Sequence, residues 1–303
     1  MLLEDALKEY LYDCQLRKLS ERTMKSLRNN NKRLFCYLAG EFALFEVEEV
    51  KRVHVQSFVN HLADTGHKET YVNSMIKSFR GLFAYCVEEE YTKDSPMQRV
   101  RFQKEEIPVI LTFNSEEVRR MISYYPCKKF LEQRNRLMIV TLLDSGIRNS
   151  ELCDIQLEDV HENAIKIRGK GKKIRYVPLT PAINKELVRY MRLREQYIKD
   201  KYRYQTEYLF LSQKGKRLTP ETVERIVKEC GEQCHVREEL RCSPHTCRHY
   251  YAQTQLKNGC DLFTVSKLLG HGNINITKRY LNSMGVDDVI EMGQRTTPLS
   301  LLG

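Results

Sequence analysis

Apolar residues recur at helical spacing from the first residues onward. Leu3, Leu7, Tyr10 and Leu11 share one face; after Ser20, a side chain suited to capping a helix, Met24, Leu27, Leu34 and Leu38 continue the pattern. A third run, His54 to Ala63, is closed by Thr65-Gly66, and a fourth, Tyr71 to Val87, carries Met75, Phe79, Leu82 and Phe83 on its apolar side. Four helices are predicted within residues 1–92. From Lys93 to Thr112 the pattern lapses among Pro96, Pro108 and mixed charges, which predicts a linker over 93–112. It resumes after Asn114-Ser115, with Glu116 and Glu117 in a first helical turn.

The second part mixes periods. Arg134 to Leu143 is a strongly apolar helix ending at Ser145-Gly146, so Arg148 stands just beyond a helix end. Ala164 to Leu179 alternates about a glycine-bearing turn, a β-hairpin with six basic residues between Lys166 and Arg175. Beyond it the pattern predicts a helix opened by Pro181, a short strand from Tyr208 to Leu211, a helix from Pro220 to Cys230, and a helix carrying His245-Thr-Cys-Arg248. No internal repeat interrupts this order.

A length of 303 residues suits two folded units. The formal net charge of +10 is unevenly placed: residues 1–107 hold 17 Lys/Arg against 17 Asp/Glu, and residues 108–303 hold 33 against 23. Positive charge gathered in one unit points to a polyanionic partner, because neutralising phosphates releases condensed counterions. No run approaches the ~18 apolar residues a membrane span needs, and the first residues carry acids where a signal peptide carries bases, so a cytosolic protein is expected. Ten scattered cysteines are expected as reduced thiols. The group Cys230, Cys234, His235, Cys242, His245 and Cys247 imitates zinc-ligand spacing only in part.

Two polar stripes stand out in the first part. Lys25, Arg28 and Lys32 fall at i, i+3, i+7, and Asn73, Lys77 and Arg80 at i, i+4, i+7, so each set shares a helix face that could meet phosphates or base edges. The plainer reading of each is a solvated face. Glu88, Glu89 and Glu90 are expected away from a DNA-facing side.

Breaking a phosphodiester requires cationic donors for the non-bridging oxygens, a nucleophile, and an acid for the leaving oxygen. Arginine forks match phosphate geometry, which suits Arg148 and Arg248; His245 lies three residues before Arg248 on one helix face, and Glu151 lies three after Arg148. Tyr280 follows His271 by nine residues. A free tyrosine at neutral pH is about one part in a thousand ionised, a deficit of roughly 4 kcal/mol that nearby guanidiniums could offset.

In the run from Thr112 to Asn282, Gly146-Ile-Arg-Asn-Ser-Glu-Leu152, the Gly-Lys-Gly hairpin with Val177-Pro-Leu179, His245-Thr-Cys-Arg-His249, Leu268-Leu-Gly-His271 and Tyr280 resemble the tyrosine recombinase, or phage-integrase, family of site-specific DNA recombinases. The resemblance implies a mainly α (α+β) fold: a four-helix core-binding domain over 1–92, a mostly helical catalytic domain with a small β-hairpin over 113–284, and a C-terminal segment, 285–303, for subunit contact. The two domains together would form a C-shaped clamp on DNA. It further implies that Arg148 and Arg248 clamp the scissile phosphate, that Lys170 is the general acid for the 5'-oxygen, that His245 assists proton transfer and that His271 binds a phosphate oxygen. Glu151 would match the family's acidic residue, Lys172 and Lys173 would contact phosphate, and Tyr280 would form a 3'-phosphotyrosyl link. No metal or nucleotide cofactor is implied.

The partners implied are double-stranded DNA with paired recombination sites, a homotetramer assembled on it through a four-way junction, and accessory proteins; the place is the cytoplasm, nucleoid-associated when bound. No additional DNA-binding module is expected ahead of the first helices. Asn149 departs from the apolar residue usual after the first arginine, and Asn282 from a common histidine. Three rivals compete: type IB topoisomerase-like relaxation, a cysteine phosphatase through the C-x5-R spacing of Cys242 and Arg248, and a non-catalytic DNA-binding protein. Pro244, which lacks an N–H, argues against a phosphate-cradling loop there.

Overall fold

A computed structural model describes residues 1–105, 109–169, 173–201 and 206–295. The chain divides into two compact units, Met1–Ile107 and Pro108–Gly303.

In the first unit, helices α1 (Leu3–Leu16), α2 (Glu21–Phe42), α3 (Arg52–Asp64) and α4 (Glu69–Glu88) enclose one apolar core. The helical stripes read from the sequence are what fills it: Leu3, Leu7, Leu34, Leu38, Phe79 and Phe83 are almost fully buried. Ser20 caps α2, its hydroxyl accepting from the Thr23 N–H at 3.2 Å.

The second unit is built on α6 (Phe130–Ser145), which follows α5 (Ser115–Ser123). Leu137, Met138, Ile139 and Leu142 are buried on every side of α6, which is why its apolar pattern is continuous and not a stripe. After it come α7 (Asn149–Asp154), a 3-10 turn (Leu157–Asp159), strands β1 (Ala164–Arg168) and β2 (Ile174–Pro178), and α8 (Pro181–Lys201). The chain continues through α9 (Pro220–Gln233), α10 (Pro244–Lys257), α11 (Leu262–Leu269), α12 (Ile274–Leu281) and α13 (Val286–Arg295). Helices α8 and α10 both pack against α6. The two strands pair antiparallel, Ala164 with Pro178 through Arg168 with Ile174, and bury Ile165, Ile167 and Val177 against the core. A smaller cluster joins Tyr251, Leu256, Val265, Leu269 and Tyr280 across α10, α11 and α12. Among the described residues the architecture is mainly α with one small two-stranded sheet.

The expected strand from Tyr208 to Leu211 does not form a ladder. Tyr208 makes a single bridge to Gln156 and Leu211 one to Arg217, while Leu209 and Phe210 are buried. The apolar run reports burial correctly, but each end meets a different neighbour, so among the described residues no continuous partner extends the pairing. Among the described residues, no helix is long and apolar enough to cross a membrane.

Candidate active site around two anchored arginines

Helix α6 ends at Gly146 and α11 at Gly270, both in the left-handed conformation (φ 60° and 65°). A Cβ at Gly146 would lie 2.4 Å from the Tyr251 ring, and one at Gly270 would press the Arg175 guanidinium at 3.0 Å, so glycine is required twice over. The carbonyls freed at these two helix ends hold the arginines. Arg248, on α10, donates to Gly146 O at 2.7 Å and Leu269 O at 2.8 Å; Arg148, at the start of α7, donates to Gly270 O at 3.2 Å. Helix C-termini carry partial negative charge, so they stabilise guanidiniums placed against them. Burial, reinforced by the neighbouring Arg148 charge, still brings the Arg248 pKa down to about 10, which leaves it charged at neutral pH.

Glu151 ties the cluster together. It is 5% exposed and accepts from Arg148 Nη1 at 2.8 Å, and from Arg175 Nη1 and Nη2 at 2.9 and 2.7 Å. Its other bond, from the Arg148 N–H at 2.8 Å, caps α7. Burial opposes its charge, yet the Arg175 fork, with Arg148 behind it, holds its pKa down at about 2. Arg175 also donates from Nε to Leu268 O at 2.8 Å, fastening β2 to the end of α11. It was visible in the sequence only as one hairpin base among six; its position just ahead of Val177-Pro-Leu179 was the available signal.

His271 follows Gly270 directly and is half-buried, its Nδ1 2.7 Å from the Thr277 hydroxyl. Burial first, then the charges of Arg248, Arg148 and Arg175, depress its pKa to about 4, so the ring is neutral. Tyr280 lies one turn after Thr277 on α12, and both are buried while their neighbours Lys278 and Arg279 are exposed. The Tyr280 phenol, 3% exposed, meets His249 Nδ1 at 3.0 Å. Burial raises its pKa against the opposing pull of Arg248, Arg279 and Arg148, so the phenol is protonated at neutral pH. His245 is exposed, one helical turn before His249, with the two rings 6.4 Å apart. His249 closes His-Thr-Cys-Arg-His yet received no role from sequence; its i+4 spacing from His245 was the clue.

The structure thus brings Arg148, Glu151, Arg248, His271 and Tyr280 into one linked cluster within the second unit, with His245 on the same helix as Arg248. Lys170 and Lys172 lie outside the described residues; Lys173 is exposed where the Gly169 N–H donates to its carbonyl at 2.7 Å. Asn149, unusual beside Arg148, donates to Pro220 O at 2.9 Å and so fixes α7 against the start of α9.

In the first unit, Lys25, Arg28 and Lys32 are exposed along α2, and Lys77 is exposed on α4. Asn73, placed on the same DNA-facing stripe by its spacing, is instead buried: its amide donates to Gln103 O and Glu105, and accepts from the Gln103 N–H at 2.8 Å. Arg80 stacks on Phe102 at 4.1 Å and donates to Val100 O. Helical period reports a shared face; it does not report that residues 100–105 fold back over part of that face.

One rival chemistry fails on geometry. Cys242 is no phosphatase nucleophile: burial raises its pKa to about 11, and Arg248 points at carbonyls of α6 and α11 instead of a loop around that thiol. Cys230 and Cys234 have sulfurs 4.0 Å apart, and among the described residues no group of three or more His, Cys, Asp or Glu is placed to hold a metal ion.

The family model described as the phage integrase family matches residues 112–285. Over 286 residues the chain is 31% identical to a protein named tyrosine recombinase XerC from Thermodesulfovibrio yellowstonii, spanning 93% of this chain and 92% of that one. Among solved structures, XerH site-specific recombinase bound to palindromic difH substrate, a post-cleavage complex, is similar with a TM-score of 0.74 at 20% identity, covering 94% of this chain and 82% of that one. A lambda integrase tetramer bound to a Holliday junction is similar with a TM-score of 0.69 at 15% identity, covering 90% and 78%. The two structural likenesses bear on the fold.

Proposed function

The chain belongs to the phage integrase family of tyrosine recombinases, and from that membership we propose how its own residues carry out strand exchange. It is a site-specific DNA recombinase, an enzyme that breaks and rejoins DNA strands. Arg148 and Arg248 grip the non-bridging oxygens of the scissile phosphate, and the Tyr280 oxygen attacks phosphorus. The bond to the 5'-oxygen breaks as that oxygen takes a proton from Lys170, leaving a 3'-phosphotyrosyl link and a 5'-hydroxyl. His245 assists the proton movement, His271 donates to a phosphate oxygen, and Glu151 positions Arg148.

The observation that carries this reading is the double anchoring of Arg248 and Arg148 on the ends of α6 and α11, beside a buried phenol. Such fixed cations need no reorganisation when negative charge develops on phosphorus. Because the phosphotyrosine conserves the energy of the bond it replaces, a 5'-hydroxyl from another strand reverses the step. Two such rounds pass through a four-way junction.

The same reading assigns residues 1–92 to the outer grip on DNA, with Lys25, Arg28, Lys32 and Lys77 on phosphates, and Lys172 and Lys173 supporting Lys170. It assigns 93–112 to a linker, 113–284 to catalysis and 285–303 to a neighbouring subunit in a DNA-bound homotetramer. Supporting the last, Val286, Val289 and Ile290 on α13 are 76%, 58% and 53% exposed, an apolar face left without cover among the described residues. Paired DNA sites are the substrate, accessory proteins set direction, and the protein works in the cytoplasm on nucleoid DNA.

The test is a nicked duplex carrying a site selected with the wild-type protein. The nick releases a short strand, so cleaved DNA accumulates as a covalent adduct on denaturing gels, and peptide mapping is expected to find it at Tyr280. Tyr280→Phe is expected to form no adduct while binding the same duplex; an adduct at another residue overturns the assignment.

A further inference from the structure

The nucleophile must lose a proton as it attacks, and no role above names the atom that receives it. Lys170 serves the leaving oxygen, His245 is exposed with its ring 6.4 Å from that of His249, and His271 turns Nδ1 to Thr277. Among the described residues the Tyr280 hydroxyl has one side-chain partner, His249 Nδ1, at 3.0 Å, with the rings tilted at 59°. His249 directly follows Arg248 in the chain, so one residue step separates the phosphate clamp from the nucleophile's partner.

We propose that His249 is a further catalytic residue: the base that takes the Tyr280 proton during attack and returns it during rejoining. In the forward step the Tyr280 O–H bond breaks and the proton passes to His249 Nδ1. An oxygen–phosphorus bond forms, and the bond from phosphorus to the 5'-oxygen breaks with that oxygen protonated by Lys170. In the reverse step a 5'-hydroxyl bonds to phosphorus and yields its proton to Lys170, while the bond from phosphorus to the Tyr280 oxygen breaks and the imidazolium gives the proton back to that oxygen. The proposal rests on the recombinase reading and assigns it a residue outside the roles the family resemblance supplied.

The surroundings make this base conditional on substrate. Facing the ring are His245 and Arg248 on α10 and Arg279 and Tyr280 on α12, and no carboxylate is among the groups that shift it. Burial and then the charges of His245, Arg248 and Arg279 bring its pKa down to about 4. In the free protein it is thus a neutral acceptor, too weak to ionise a phenol whose own pKa is raised. A phosphodiester between Arg148 and Arg248 brings negative charge that offsets those arginines, strengthening His249 as a base at the moment a target is present. Without DNA the nucleophile stays protonated and inert.

The experiment measures single-turnover adduct formation on the nicked duplex across pH 5–9. For the wild-type protein the rate is expected to fall at the acid end, as the base is protonated. His249→Ala is expected to slow cleavage roughly 10²–10³-fold, to lose that acid limb, and to recover part of the rate with added imidazole. His249→Asn, which keeps a hydrogen-bonding group but cannot carry the proton, is expected to stay slow, and it carries the test alone if the alanine variant does not fold. A wild-type rate and acid limb in either variant overturns the proposal. So does a slow alanine variant that imidazole leaves unchanged while asparagine restores activity, the pattern of a residue that only positions the phenol. Absence of any adduct from the wild-type protein instead counts against the recombinase reading itself.

Discussion

The site has two sides built on different plans. On the arginine side, the polar groups are closed on one another: Arg248 on two carbonyls, Glu151 on two arginines, and Arg175 on both Glu151 and Leu268. On the tyrosine side, an eight-residue helix buries only Thr277 and Tyr280, and among the described residues the phenol has a single side-chain partner. The difference teaches that the cost of organising charge is met when the protein folds, whereas the Tyr280 phenol is kept neutral and lightly held. On the proposed reading, binding energy from DNA is then free to act on that phenol, the part of the site whose state must change.

The largest effect should come from disturbing the closed side. Arg248→Lys keeps a positive charge but replaces a planar fork with a point donor, leaving a buried carbonyl at Gly146 or Leu269 without its partner. Single-turnover cleavage is expected to fall about 10²–10³-fold. The melting temperature is expected to drop as well, since each unsatisfied buried carbonyl costs roughly 1–3 kcal/mol. A lysine variant that cleaves at the wild-type rate would show that charge alone suffices and that the anchoring has no catalytic role.

A pH series separates the two sides by their titrating groups. Glu151 is held below the ordinary carboxylate range, so its stabilisation is complete above about pH 5 and is lost as pH falls toward about 2. The amount is roughly 3 kcal/mol. His249 and His271 are depressed to about 4; their unfolded forms bind protons below about pH 6.5 while the folded forms do not, so stability already declines between about pH 6.5 and 4. Denaturant unfolding of the wild-type protein should therefore show two successive losses on acidification. Glu151→Gln is expected to be less stable at neutral pH and to lack the lower-pH loss; an unchanged profile would mean that Arg175 and Arg148 do not act on that carboxylate.

This division also explains what could be read without coordinates. Arg148, Arg248, His271 and Tyr280 occupy fixed places relative to helix ends, and chain spacing reports those directly: a glycine, a histidine, a tyrosine nine residues on. The stripes of Leu34, Leu38, Phe79 and Phe83 reported the first core for the same reason, since period and burial coincide. Arg175 and His249 gain their roles from partners 24 and 31 residues away, which no local pattern encodes. Asn73 was misplaced for a related reason: its partners, Gln103 and Glu105, sit in a stretch whose lack of periodicity concealed that it packs on α4. Tyr208 to Leu211 is buried as its composition demands, but pairing depends on neighbours at both ends.

The smallest expected effect tests whether the two sides are joined. Thr277 is buried one turn before Tyr280, and its hydroxyl meets His271 Nδ1, so one hydrogen bond links the helix of Tyr280 to the residue that follows the Gly270 end of α11. A neutral imidazole that accepts at Nδ1 carries its proton on Nε2, the form needed to donate to a phosphate oxygen. Thr277→Val preserves shape and removes only the hydroxyl. Since one such bond is worth about 1.4 kcal/mol, cleavage should slow about tenfold, with DNA affinity unchanged because the arginines remain in place. A loss of affinity without a loss of rate would place His271 with the arginines as a binding group. Loss of neither would mean that His271 is oriented independently of α12, leaving His249 as the contact through which the state of the phosphate clamp reaches the tyrosine.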